Sequence, residues 1–65
     1  MSDAKIPASE LEVGDELHLR FMGGDEYCTV RSVEMNGSKV SWVASSPGGD
    51  LKDTISSSKM VDVRA

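Results

Sequence analysis

Cys28 and His18 are the one conventional nucleophile and the one conventional base in a chain that holds a single Cys and a single His. Nucleophilic catalysis would need the two side chains within hydrogen-bond reach. The pattern around them argues otherwise. Leu17, Leu19 and Phe21 alternate with His18 and Arg20, and Cys28 shares parity with Val30. Cys28 therefore falls at an inward position and His18 at an outward one. A buried thiol behaves as a small hydrophobe, whereas a reactive one needs an accessible electropositive setting. One Cys with one His cannot complete a structural zinc site. The pairs Asp15-Glu16 and Asp25-Glu26, with Asp50 and Asp53, have the chemistry for a hard cation or for acid–base work. Neighbours on a strand face opposite ways, however, and no calcium-loop spacing occurs. Surface charge that keeps the chain soluble is the expectation for them. Ser45-Ser46-Pro47-Gly48-Gly49 and Ser56-Ser57-Ser58 lack the Lys-Ser or Lys-Thr that a phosphate cradle requires after its glycines. No catalytic residue, metal or cofactor is expected, and the chain is read as non-enzymatic.

The elements that position these residues read as strands. Leu17, Leu19 and Phe21 form the buried side of a first strand, ended by Gly23-Gly24-Asp25. In the run Tyr27 to Met35, Cys28 and Val30 have one parity while Val33 and Met35 have the other. A bulge or bend near Arg31-Ser32 would bring all four to one face, as happens where a strand wraps a small barrel. Asn36-Gly37 then turns the chain. The same residues with Ser38 match a glycosylation pattern, but a tight hairpin accounts for them. Val40, Trp42 and Ala44 mark a third strand. Leu51 to Ile55 is a weak fourth, expected at an edge because Lys52 and Asp53 intrude. One short 3₁₀-type turn is expected over Ser56 to Met60, then a closing strand Val61 to Val63. The core set is Leu11, Val13, Leu17, Leu19, Phe21, Cys28, Val30, Val33, Met35, Val40, Trp42, Ala44, Ile55, Met60, Val61 and Val63.

With 65 residues there is room for one domain: a loose tail over residues 1–10 and an all-β domain over 11–65. Pro7 to Leu11 has the spacing for one helical turn, Ser9 and Glu12 being placed like a capping box. Such a short chain without a disulfide is marginally stable and has little slack for a strained active site. No apolar run reaches the ~18 residues of a membrane span. Met1 to Pro7 lacks the apolar stretch of an export signal, so a reducing, cytoplasmic setting is expected. Seven basic against eleven acidic side chains give a net charge of -4, which opposes binding to a phosphate backbone.

Val13-Gly14-Asp15-Glu16-Leu17, the bent Cys28-Thr29-Val30-Arg31-Ser32-Val33, then Val40-Ser41-Trp42 and finally Ile55 to Val63 follow a recognisable order. The chain resembles the SH3-like small β-barrels, a group that includes Tudor and KOW modules, over residues 11 to 64. The resemblance implies a single barrel of about five antiparallel strands with one short helical turn before the last. It also implies binding rather than catalysis. Small free-standing barrels of this kind are common among bacterial and bacteriophage proteins, the provenance that the likeness suggests. A Tudor-type aromatic cage needs several rings around a cation. This chain has three rings, of which Phe21 and Trp42 are assigned to the core.

The function expected is a protein-interaction module that meets a larger partner, or a second copy, through its loops or edge strand. The loops are Gly23-Gly24-Asp25-Glu26-Tyr27 and Ser45 to Asp53, and the contact residues are Tyr27, Glu26, Arg20 and Arg31. The first alternative is a nucleic-acid-binding module of KOW type, using His18, Arg20 and Arg31 as a basic patch. The second is an acidic mimic docking on a basic surface. No membrane partner is expected.

Overall fold

The computed structural model describes residues 3–64, and for Phe21 the backbone. Within that range the chain forms β1 (Asp3–Pro7), a 3₁₀ turn (Ala8–Glu10), β2 (Glu16–Phe21), β3 (Gly24–Asn36), β4 (Lys39–Ser46), β5 (Gly49–Ser56) and β6 (Met60–Arg64). Among the described residues these six strands make one antiparallel sheet in the order β1-β6-β2-β3-β4-β5. The all-β class agrees with the two-residue alternation in the sequence. Two features differ from the expected architecture. There are six strands rather than about five, and no strand pairing links β5 back to β1, so the ladder is not closed into a barrel.

The extra strand comes from the segment expected to be a loose tail. Ala4 and Ile6 alternate with Asp3 and Lys5, and both pack against the core. Their partner is β6, with Ala4 opposite Val63 and Ile6 opposite Val61. The chain then makes its 3₁₀ turn and buries Ala8. Backbone bonds from Ala8 N–H to the Lys59 carbonyl (2.8 Å) and from Ser9 N–H to the Ser57 carbonyl (3.0 Å) fix it there. Helical geometry thus appears before β2. The helical turn expected before the last strand is replaced by a plain turn at Ser57-Ser58, held by Ser57 N–H on the Ser38 carbonyl at 2.8 Å. Three serines in a row offer many local hydrogen bonds and no apolar period, so nothing there favours a helix.

The bend expected near Arg31-Ser32 is present. The β3–β4 register slips between Val30 and Ser32, leaving Arg31 as the extra residue of a bulge. Before the slip Val30 lies opposite Ala44, and after it Val33 lies opposite Trp42. Apolar residues of both parities thereby join one core. Its buried members are Leu11, Leu17, Cys28, Val30, Trp42, Ala44 and Val63, with Leu19, Val33, Leu51, Ile55 and Val61 packed around them. Val40 is fully buried as well. Val13, Met35 and Met60, all expected inside, are more than half exposed. Each sits at a periphery: Val13 in a turn with Gly14, Met35 one pair from a hairpin tip, Met60 at the start of β6. The expected burial of the Phe21 side chain lies outside the described residues.

Glycine is required where the chain reverses. Gly37 has φ 61° in the two-residue loop Gly37-Ser38 that joins Asn36 to Lys39. Ser38 keeps negative φ, so the loop is of the type with glycine at its first central position. Gly14, at φ 98°, turns the chain over β3, where Gly14 N–H donates to the Val30 carbonyl (2.9 Å) and Val30 N–H to that of Asp15 (2.8 Å). β5 is an edge, as its charges suggested. Asp53 holds the position between Leu51 and Ile55 on the side that β4 uses for Val40, Trp42 and Ala44.

A chain of 65 residues has a folding margin on the order of 3–10 kcal/mol. Leu17 is almost wholly buried and joins β2 to both β3 and β6. Leu17→Ala is expected to remove about 2–5 kcal/mol and leave the chain partly unfolded at 25 °C. Urea denaturation followed by the fluorescence of the single tryptophan checks this; a loss below about 1 kcal/mol would contradict the core described above.

Candidate functional site

The sheet's outer face carries a row of polar groups built by strand register. His18 on β2 lies opposite Tyr27 on β3, and Arg20 opposite Asp25. The imidazole and phenol rings stack, with centroids 5.0 Å apart and planes 21° from parallel. Arg64 on β6 places its guanidinium carbon 4.8 Å from the Tyr27 ring centre. Asp3 on β1 reaches the same spot. Its carboxylate accepts from the Tyr27 hydroxyl at 2.7 Å and lies 2.6 Å from His18 Nδ1. His18 Nε2 is 3.1 Å from Asp25 Oδ2. Both ring nitrogens face carboxylate oxygens, an arrangement in which only the imidazolium donates on both sides.

These contacts set the titration of two groups. The hydrogen bond from Tyr27 holds the Asp3 carboxyl below its ordinary range; partial burial opposes this, and His18 and Arg64 add to it. The same bond raises the Tyr27 phenol above its ordinary value of 10, with burial and the negative charge of Asp3 adding to the effect. The thiol of Cys28 is raised by burial and then by the Glu26 carboxylate. Cys28 lies opposite Leu17 on the buried side while His18 lies opposite Tyr27 on the outer side. The two do not form a nucleophile and base. Among the described residues no group of three or more His, Cys, Asp or Glu is placed to hold a metal ion, and no helix is long and apolar enough to cross a membrane.

The basic patch expected of His18, Arg20 and Arg31 is broken up by carboxylates. His18 is held between Asp3 and Asp25. Arg31, displaced by the bulge, bonds both Asp50 oxygens through one nitrogen at 2.9 and 3.0 Å. Arg64 pairs with Glu16 at 3.4 Å and Lys5 with Asp62 at 2.9 Å. Arg20 forms no ion pair with a described residue. Of the four expected contact residues, Tyr27 and Arg20 share the outer face, and Arg31 is tied to the start of β5. Glu26 has the opposite parity, facing Leu19.

Glu26 belongs instead to a second feature. The hairpin loops after β2 and after β4 stand side by side and leave an open cleft of about 340 Å³. Gly24, Asp25 and Glu26 line one side; Ser46, Gly48 and Leu51 line the other. The two loops singled out in the sequence are therefore neighbours. Sequence reading missed Asp3 and Arg64 as members of the outer cluster. The alternation Asp3-Ala4-Lys5-Ile6 carries the signal for Asp3, but its partner strand lies at the far end of the chain. No protein-family model, curated protein or solved structure matches this chain.

The chain has one tyrosine, so its alkaline absorbance titration reports Tyr27 alone. The midpoint is expected above 10, and Asp3→Asn should bring it back toward 10. A raised phenol pKa stabilises the fold below the unfolded value and is lost as pH rises through the folded one. A lowered carboxyl pKa stabilises it above the unfolded value and is lost as pH falls through the folded one. The stability difference between wild type and Tyr27→Phe should therefore be greatest near neutral pH and shrink at both ends, as thermal unfolding across pH will read. A pH-independent difference would refute the Asp3–Tyr27 bond.

Proposed function

We propose that the chain is an open variant of the SH3-like small barrels that acts as a non-enzymatic protein-interaction module, working in the cytoplasm of a bacterial or bacteriophage-infected cell. The strand order from β2 to β6 supports the fold reading. A strand, a bent strand, a tight turn, two further strands and a last strand returning beside the first reproduce the order that the sequence shares with those barrels. β1 is an addition at the β6 edge.

The observation that carries the functional reading is the convergence of the two glycine-rich loops on one cleft beside an unpaired edge strand. Backbone at such a cleft and edge can meet another chain without a deep pocket. Tyr27 follows the cleft residue Glu26 in β3 and, with 41 % of its surface exposed on the outer face, is an amphipathic ring of the kind that anchors interfaces. Larger proteins are the favoured partners, and a second copy is the next. Nucleic acid is disfavoured because the chain carries a net charge of -4 and Arg31 is already held by Asp50.

Two measurements test this. Mobility-shift titration with short single- and double-stranded DNA and RNA at low salt should show no binding; retention that falls steeply with salt and is lost in Arg31→Glu would replace this reading by the nucleic-acid one. Capture from a lysate of the source cells should enrich one or a few proteins, and Glu26→Lys with Tyr27→Ala should abolish that enrichment. Enrichment unchanged by the pair of substitutions would remove the loop cleft from the site.

A further inference from the structure

β2 and β6 are neighbours in the sheet, yet among the described residues they share one register pair, Leu17 with Val63. Continuing that register would set Leu19 beside Val61 and Arg20 beside Met60. The strands part instead and leave an open groove of about 470 Å³, whose apolar lining is Leu17, Leu19, Trp42, Met60 and Val61. Trp42 belongs to β4, two places from β2 in the strand order, so it is the indole that reaches this groove across the core. Trp42 is 7 % exposed, and its Nε1–H is buried with no hydrogen-bond acceptor among the described residues. Trp42 therefore contributes apolar surface to the groove rather than an accessible donor.

The strand edges point the same way. Successive residues of a strand direct their backbone N–H and C=O to alternate sides. The stretches His18–Arg20 and Met60–Asp62 therefore each turn backbone donors and acceptors into the groove, with no ladder between them. An extended chain laid there can bond to one or both edges. Charge then selects its composition. Arg20 and Lys59 line or border the groove, are exposed, and form no ion pair with a described residue. Asp62 is neutralised by Lys5, and His18 is held by Asp3 and Asp25. The groove thus offers two uncompensated cations on a chain of net charge -4.

We propose that the gap between β2 and β6 is a binding groove for an extended peptide segment of a partner protein, one that alternates acidic with apolar side chains. The apolar side chains pack on Leu19, Met60 and Val61, and the acidic ones meet Arg20 and Lys59. This rests on reading the chain as a protein-interaction module and adds a surface distinct from the loop cleft, with the chemistry of what it takes.

The test is selection of a random eight-residue peptide library, displayed on phage, against the whole folded chain, followed by NMR mapping of the enriched peptides. The lone tryptophan gives a single indole N–H resonance. Enriched peptides are expected to alternate acidic and apolar residues and to shift that resonance together with the amides of Leu19, Arg20, Met60 and Val61. Arg20→Glu with Lys59→Glu, both at exposed positions, should weaken them roughly tenfold, and peptides with Lys in place of the acids should bind that variant instead. Peptides that map only to Gly24–Glu26 and Ser46–Leu51 would overturn the groove and leave the interaction-module reading intact. Basic peptides, or no enrichment, would overturn it too, the lysate capture above then deciding the broader reading by itself. Concentration-dependent shifts of the groove residues without peptide would assign it to a second copy and overturn the proposal.

Discussion

A strand has two faces, and β3 has to present apolar groups of opposite parity to one core. That constraint governs the rest of the molecule. The single extra residue at Arg31 resolves it, because the register slip between Val30 and Ser32 turns Val33 to the side already occupied by Cys28 and Val30. Without the slip, β4 could match one half of β3 or the other. With it, β4 packs Ala44 against the first half and Trp42 against the second, and the indole is carried to the groove between β2 and β6. The bulge also throws Arg31 outward to Asp50, away from the β2 cations.

Electrostatics follow from this frame. The outer face is a set of cross-strand pairs in which cations stand between carboxylates contributed by distant segments. His18 links the first strand of the chain to the second and third through Asp3 and Asp25, and Tyr27 and Arg64 stack beside it. Exposed pairs of this kind add little stability individually. They tie β1 to β6 and β2, while Arg20 and Lys59 form no ion pair among the described residues.

Much of the fold was legible because alternation is local. β2, β4 and β6, the bend in β3, the tight turn at Gly37 and the edge character of β5 can be read from residues within a few places of one another. β1 was not, because Ala4 and Ile6 are weak apolar signals and their pairing partners Val63 and Val61 lie almost a full chain length away. Closure was over-read for a related reason. A sequence shows that each strand has an inward face, but not which strands meet at the ends of the sheet, and no pairing joins β5 to β1. Parity in the sequence sets His18 and Arg20 outward, and both lie on the outer face, where register also brings Tyr27; Glu26 lies opposite Leu19. His18 meets Asp3 and Asp25, and Arg31 meets Asp50, across strands, and no local rule pairs them.

Asp53 bears on how this sheet meets its own kind. It takes the inward position at the middle of β5, between Leu51 and Ile55, where a valine would complete an apolar stripe. A strand from a neighbouring molecule that zipped onto this edge would lock a carboxylate into a dry seam, and a symmetric partner would bring a second one close to it. The open edge of the sheet is therefore guarded by charge rather than by geometry. Lys52 and Asp53 stand between an adhesive border and the stacked-strand growth that leads to fibres.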